Sequence, residues 1–114
     1  MSDSKPPPEP LEPAPARLVH SHLDAIARTL APWSPHPVFA VNQANLRLVK
    51  YDSHGPPLHH HDVDECYVVL EGELVLEIPG EPTLHLKRGD ACVVRAGTDH
   101  RPMALPTASV LLVT

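Results

Sequence analysis

The stretch of sequence that decides the fold is His59-His60-His61-Asp62-Val63-Asp64-Glu65-Cys66-Tyr67-Val68-Val69-Leu70-Glu71-Gly72. His59 and His61 project from one face of an extended chain, because side chains alternate with a period of two. By the same alternation, His60 faces away from them. Glu65 follows a short acidic loop and begins a β-branched and aromatic run that is typical of a strand. The loop brings this carboxylate back beside the imidazoles, and His100 offers a fourth donor.

These donors predict a site for one divalent transition metal ion per chain. Imidazole nitrogen and carboxylate oxygen suit iron, manganese, nickel, zinc, copper or cobalt, whereas calcium prefers oxygen ligands alone. Four protein donors on an octahedral ion leave two positions open for a ligand. The alternative is a histidine-rich surface loop without an ion.

Length, charge and cysteine content limit the class of protein. The 114 residues suffice for one domain, and the net charge of −5 provides no general basic surface for nucleic acid. No apolar run approaches the roughly 20 residues of a membrane span, and the N-terminus lacks a signal-peptide core. We therefore expect a cytoplasmic protein that binds neither nucleic acid nor membranes. Cys66 and Cys92 lie in apolar runs, where reduced thiols are commoner than a disulfide.

The chain divides into a tail, a helix and a β-rich region. Residues 1–16 hold six prolines and almost nothing apolar, which predicts a disordered tail. Apolar residues recur at helical spacing over 17–31, where Pro32 ends the pattern. Short strands separated by glycine and proline turns are predicted over 38–42, 45–51, 57–61, 65–70, 73–78, 83–87, 91–95 and 108–113. This order predicts a single all-β domain over 17–114, built as an antiparallel sandwich or barrel.

The spacing of these residues resembles two motifs of the cupin superfamily. The first motif is matched by Gly55-x3-His59-x-His61-x3-Glu65-x6-Gly72, although the family usually has five residues between the first glycine and the first histidine. The second is matched by Gly89-x5-Arg95-x-Gly97-x2-His100-x3-Ala104 in its glycines and its histidine. The family has proline where this chain has Arg95 and asparagine where it has Ala104, and neither is a metal ligand of the family.

The resemblance implies a fold and a ligand set. The fold is an antiparallel jelly-roll cupin β-barrel over about 38–113, preceded by the helix of 17–31. The metal ligands are then His59, His61, Glu65 and His100. The chain looks most like the small single-domain cupins similar to the metal-binding domain of mannose-6-phosphate isomerase.

The reaction is less determined than the site. The resemblance implies that the ion binds or transforms a small polar or anionic metabolite, with dioxygenase chemistry for iron, copper or nickel and isomerase or lyase chemistry for zinc or manganese. The alternative is a non-catalytic metabolite-binding or sensor module, in which the metal is structural or the site is empty.

No catalytic residue is assigned from the sequence, but several side chains are candidates for contacting a substrate. Tyr67 shares the inward parity of Glu65, and Arg101 follows His100. Arg47 and Arg95 are further positive side chains that would face an anion if they pointed inward. The predicted partners are a small-molecule ligand and a second copy of the chain in a homodimer, because an antiparallel edge favours pairing.

Overall fold

The computed structural model describes residues 17–114, and the tail predicted over 1–16 lies outside this range. One helix and six strands follow in the order α1 Leu23–Thr29, β1 His36–Val41, β2 Ala44–Asp52, β3 Glu65–Glu77, β4 Leu84–Lys87, β5 Ala91–Val94 and β6 Arg101–Val113. The strands form one antiparallel sheet in the order β1-β2-β6-β3-β4, with β5 also paired to β3. The predicted all-β antiparallel class is confirmed.

The two long strands β3 and β6 form the centre of the sheet. On the side of β3 opposite β6, β3 pairs first with β5 over residues 65–68 and then with β4 over residues 73–76. The β3–β6 register shifts between Val69 and Glu71 and again between Gly72 and Leu74. Because β3 changes partner at these irregularities, the sheet curls and its inner face closes around a core.

Glu71 and Gly72 were predicted to separate two strands, and that prediction is wrong because β3 runs through them. Gly72 has a φ of +81°, and a Cβ added there would overlap the carbonyl oxygen of Thr107 on β6. This glycine therefore permits a bulge and a close backbone approach within β3. The sequence had placed it in a turn between two strands.

Other predicted boundaries also differ from the structure, and the last strand, predicted over 108–113, begins at Arg101. The segment 57–61 is not a strand: Pro56 and Pro57 cannot donate to a ladder, and His59 alone makes an isolated bridge to His100. The helix covers Leu23–Thr29 and not 17–31, because no side chain from residues 17–114 caps it and none of its residues is buried. Across residues 17–114, no helix has the length and hydropathy to cross a membrane.

The core lies on the inner faces of β2 to β6. It contains the buried side chains Val49, Tyr51, Tyr67, Val69, Leu74, Leu76, Leu86, Val94, Ala104, Ala108, Val110 and Leu112. Within the described residues, Glu65 and His100 are the buried polar side chains, with 7% and 1% of their surface exposed. Burying two groups of this kind is costly unless they are paired or bind an ion, and both are predicted metal ligands.

Candidate metal centre

Three histidines from two distant parts of the chain meet at one end of the barrel. The donor atoms of His59, His61 and His100 lie within 4.8 Å of one another. Reciprocal backbone hydrogen bonds join His59 and His100, with the His59 N–H donating to the His100 carbonyl at 3.1 Å and the His100 N–H donating back at 2.9 Å. The predicted histidine cluster is therefore formed, although the backbone at 57–61 is irregular.

Backbone carbonyls fix the orientation of two of these rings. The Nδ1 atom of His59 lies 2.9 Å from the carbonyl oxygen of Pro57, and that of His100 lies 2.8 Å from the carbonyl oxygen of Thr98. A carbonyl can only accept a hydrogen bond, so Nδ1 carries the proton in both rings. In the neutral rings Nε2 then keeps its lone pair, which is the arrangement that supporting hydrogen bonds give to metal-ligating histidines.

The carboxylate of Glu65 lies beside the same atoms. Its Oε1 atom is 3.1 Å from His100 Nε2 and 3.4 Å from His61 Nε2. Among residues 17–114, His100 Nε2 is buried and has no hydrogen-bond partner, and its 3.1 Å contact with Glu65 is not a hydrogen bond. In the neutral ring, the Nε2 lone pair and the carboxylate oxygen repel each other at this distance, and a cation between them removes that repulsion.

The distances of Glu65 from His61 and His100 fit a shared metal ion, whereas the group of donors that all lie within 4.8 Å of one another comprises the three histidines without Glu65. Donor atoms bound at about 2.1 Å to one ion lie roughly 3.0–3.4 Å apart when the angles between them range from octahedral to tetrahedral. The contacts of Glu65 with His61 and His100 fall in this range. The orphaned nitrogen of His100 and the mixed nitrogen and oxygen donors therefore suit a divalent transition metal.

The acidic loop before β3 is tied to the turn after β5. The carboxylate of Asp64 accepts hydrogen bonds from the Ala96 N–H at 2.8 Å and from Arg95 Nη1 at 3.1 Å. The Ala96 N–H, followed by the Arg95 guanidinium, lowers the pKa of this carboxyl. The Gly97 N–H also donates to the His61 carbonyl at 2.8 Å. Asp64 thus positions the ligand loop, and Arg95 supplies a contact that proline could not.

A cavity of about 240 Å³ opens beside the histidines. It is lined by Trp33, Pro35, Arg47, Val49, Tyr51, Pro56, His59, His61, Glu65, Tyr67, Pro102 and Leu112. The inward parity predicted for Tyr67 is confirmed, and its hydroxyl lies 3.4 Å from Glu65 Oε1. Burial raises the pKa of Tyr67 and of Tyr51 above the ordinary phenol value, so both hydroxyls stay protonated at neutral pH.

Arg101, a candidate for contacting substrate, does not line this cavity. It pairs with Glu77 across the β3–β6 ladder, and Nε lies 3.3 Å from Glu77 Oε2.

The predicted outward orientation of His60 is correct, since its exposed ring lies 3.0 Å from Asp99 Oδ1. His54 is 89% exposed beside Asp52 and does not reach the site. Cys66 and Cys92 are free thiols.

The sequence indicated Arg47 only as a residue that would face an anion if it pointed inward, and it did not indicate Tyr51 or Trp33 as site residues. Arg47, Val49 and Tyr51 occupy every second position of β2, so strand parity could have placed all three on one face. Trp33 carries no such signal, because it precedes β1 in an irregular segment. Its φ is +62°, and its backbone N–H donates to the Lys50 carbonyl at 2.8 Å.

Side-chain contacts add to this constraint on Trp33. Its indole Nε1 donates to Asp52 Oδ1 at 2.8 Å, and its ring meets Tyr51 edge-on at a centroid distance of 4.9 Å. Left-handed backbone at a bulky residue is strained and persists where surrounding contacts hold it. Trp33 is therefore a rigid wall of the cavity.

Comparison with known families agrees with the fold. Residues 45–114 match the model of the family described as the cupin domain, Cupin_2. The chain belongs to the cupin family. A solved cupin, the cupin-2 domain containing protein from Shewanella frigidimarina, superposes with a TM-score of 0.76 at 27% identity, over 84% of this chain and 93% of that one.

Two curated relatives are similar over part of their length. The uncharacterized protein YdbB of Bacillus subtilis is 36% identical over 73 residues, which cover 58% of this chain and 61% of YdbB. The oryzines biosynthesis cluster protein J of Aspergillus oryzae is 42% identical over 67 residues, which cover 57% of this chain and 37% of that protein. The chain thus spans less than two thirds of the length of either relative.

Proposed function

We propose that this cupin holds one divalent transition metal ion through His59, His61, Glu65 and His100 and uses it to bind or transform a small polar or anionic metabolite. The observation that carries the proposal is the buried Nε2 atom of His100, which faces the Glu65 carboxylate at 3.1 Å without a hydrogen bond. An ion shared by these donors removes the repulsion and compensates for the burial of both groups.

The chain's own side chains would orient a ligand at this centre. The cavity places His59, His61 and Glu65 at one wall and mostly apolar side chains at the others, with Tyr51 and Tyr67 as neutral hydrogen-bonding groups. When bound, the ion supplies Lewis-acid polarisation of a ligand oxygen. The buried tyrosines can donate to that ligand, and the apolar wall excludes water from it.

A non-catalytic binding or sensor role is the second candidate, and one observation favours it. Apart from the proposed ligands, the lining side chains from residues 17–114 include no carboxylate and no imidazole. The two tyrosines do not ionise at neutral pH, because burial raises the pKa of each. Proton transfer in turnover would therefore need a group supplied by the ligand or by solvent. Recovery of a bound metabolite unchanged after prolonged incubation would support this role.

Removal of the metal should destabilise the protein. With free ion at about 100 times its dissociation constant, binding adds about 2.7 kcal/mol to the free energy of unfolding, or roughly 10 °C in melting temperature for a domain of this size. We expect Co²⁺ or Zn²⁺ to produce this rise in chelator-stripped protein, with one ion bound per chain by elemental analysis. Ca²⁺ is the control ion, and it should have no effect because it avoids imidazole.

An unchanged melting temperature together with less than about one ion per ten chains would contradict the proposed function. The homodimer and the cytoplasmic location expected from the sequence stay predictions. The relation to the domain of mannose-6-phosphate isomerase also stays a prediction.

A further inference from the structure

The cavity contains a positive side chain that no described carboxylate neutralises. Arg47 is half-buried and lines the cavity beside the candidate metal centre. In the range 17–114, Arg95 and Arg101 contact carboxylates at 3.1 and 3.3 Å, whereas Arg47 has no carboxylate within 4.0 Å. A guanidinium that is partly removed from water without a partner is costly for the fold and favours binding of an anion.

Strand register places Arg47 across the cavity from the metal donors. Arg47 pairs with Leu112 on β6, and Leu112 pairs with Tyr67 on β3, so these three residues form one row on the inner face. Neighbouring strands lie about 4.8 Å apart, which puts the backbone of Arg47 about 10 Å from that of Tyr67. Glu65 lies two residues before Tyr67 on the same face of β3. A small molecule could therefore contact the guanidinium at one end and the metal donors at the other.

The wall between these two ends is apolar and rigid. Val49 and Leu112 come from regular strands, and Pro35 and Pro102 lack a flexible side chain. Trp33 is held by its contacts with Lys50, Asp52 and Tyr51, as described above. The cavity volume of 240 Å³ equals that of about eight water molecules and lies below the roughly 300–1,000 Å³ of sites for drug-sized ligands.

We propose that Arg47 forms a carboxylate-binding subsite in this cavity and that the ligand is a small carboxylic acid with an apolar or aromatic body. The planar guanidinium matches a carboxylate in a two-point contact, and one cation balances one negative charge. A phosphate group carries a charge of about −1.5 to −2 and would call for further donors at this end of the cavity. The inference rests on the proposed function, because it concerns the same cavity, but Arg47 is not a metal donor and can be tested separately.

Fluorescence of Trp33 provides a direct assay of this subsite, because it is the only tryptophan of the chain and lines the cavity. The metal-loaded and the metal-free full-length protein are each titrated with benzoate, with benzyl alcohol as a neutral probe of similar size, and with inorganic phosphate. We expect benzoate to bind at least about 10-fold more tightly than benzyl alcohol, since only the carboxylate can use the guanidinium.

Substitution of Arg47 should weaken only the binding of the acid. An Arg47→Gln variant is expected to bind benzoate about 10- to 100-fold more weakly and benzyl alcohol as the parent does. Arg47→Lys keeps the charge without the planar fork and should show intermediate benzoate affinity. Arg101→Gln is the matched control, since Arg101 lies outside the cavity beside Glu77, and benzoate affinity should not change.

Metal content and melting temperature are measured on every variant, which separates this inference from the proposed function. Benzoate binding that depends on Arg47 in a chain unable to hold metal would support the subsite and contradict the metal role. If the metal-loaded Arg47→Gln variant bound benzoate as tightly as the parent, the subsite alone would be overturned. Equal affinity for benzoate and benzyl alcohol, tighter binding of phosphate, or no saturable signal at about 10 mM benzoate would also overturn it. Should Arg47→Gln fail to fold, benzoate affinity of Arg47→Lys equal to that of the parent would overturn it.

Discussion

Replacement of both His59 and His61 by alanine is expected to abolish stoichiometric metal binding. Loss of a residue that merely supports a metal ligand already lowers affinity by about 10- to 100-fold, so removal of two ligands should lower it by well over about 100-fold. Glu65 and His100 would remain as two donors, which is too few to compete with chelators in the cell. Elemental analysis of protein expressed without an affinity tag measures the effect directly.

The run of three histidines contains its own control. His60 lies between the two proposed ligands, but its ring is exposed and contacts Asp99 at 3.0 Å. A His60→Ala variant should therefore retain the parent's metal content. Equal metal content in the parent and in the double variant would exclude His59 and His61 as ligands. Loss of metal from His60→Ala would show that the histidines act through general surface affinity and not through the cluster.

Replacement of Gly72 by alanine is expected to be the most damaging single methyl addition in the described part of the chain. Left-handed backbone costs an alanine about 1–2 kcal/mol relative to glycine. At Gly72 the new Cβ would also overlap the Thr107 carbonyl, so β3 and β6 would have to separate locally. We expect the free energy of unfolding to fall by about 3 kcal/mol or more, at the upper end of single-substitution effects. Urea denaturation measures this loss.

Gly80 separates backbone strain from steric overlap. Its φ of +83° is nearly the same as that of Gly72, but a Cβ there would meet no atom within 4 Å. Gly80→Ala should therefore cost only the strain of about 1–2 kcal/mol. If Gly72→Ala and Gly80→Ala lost the same stability, the close approach of β3 to Thr107 would not be a determinant of the fold.

Strand alternation accounts for the parts of the site that were predictable from sequence. Glu65, Tyr67 and Val69 are all buried on one face of β3, as their parity indicated. The motif spacing indicated that His59, His61 and His100 would meet, and the structure brings them together. The prediction for β3 succeeded because side-chain direction in a strand depends on the local backbone alone. The meeting of the histidines was implied by the resemblance to the cupin motifs, since 57–61 is not a strand.

The wrong predictions concern features that depend on contacts between distant residues. Glycine is typical of turns, but the position of the motif residue Gly72 within β3 depends on the close approach of Thr107 on β6. Arg101 is adjacent to His100 in sequence, yet it faces Glu77, whereas Arg47, more than fifty residues earlier, lines the cavity. Sequence proximity to a ligand is therefore a poor guide to which arginine faces the site.

By itself, the sequence determined the donor types, the β class and the inward parity of β3, since each follows from residue chemistry or a local period of two. The tertiary structure alone decided the composition of the cavity wall. Trp33 reaches it from an irregular segment through contacts with Lys50, Asp52 and Tyr51. Arg47 reaches it through the register of β2 on β6. Register and long-range hydrogen bonds join residues distant in sequence, and no local pattern encodes them.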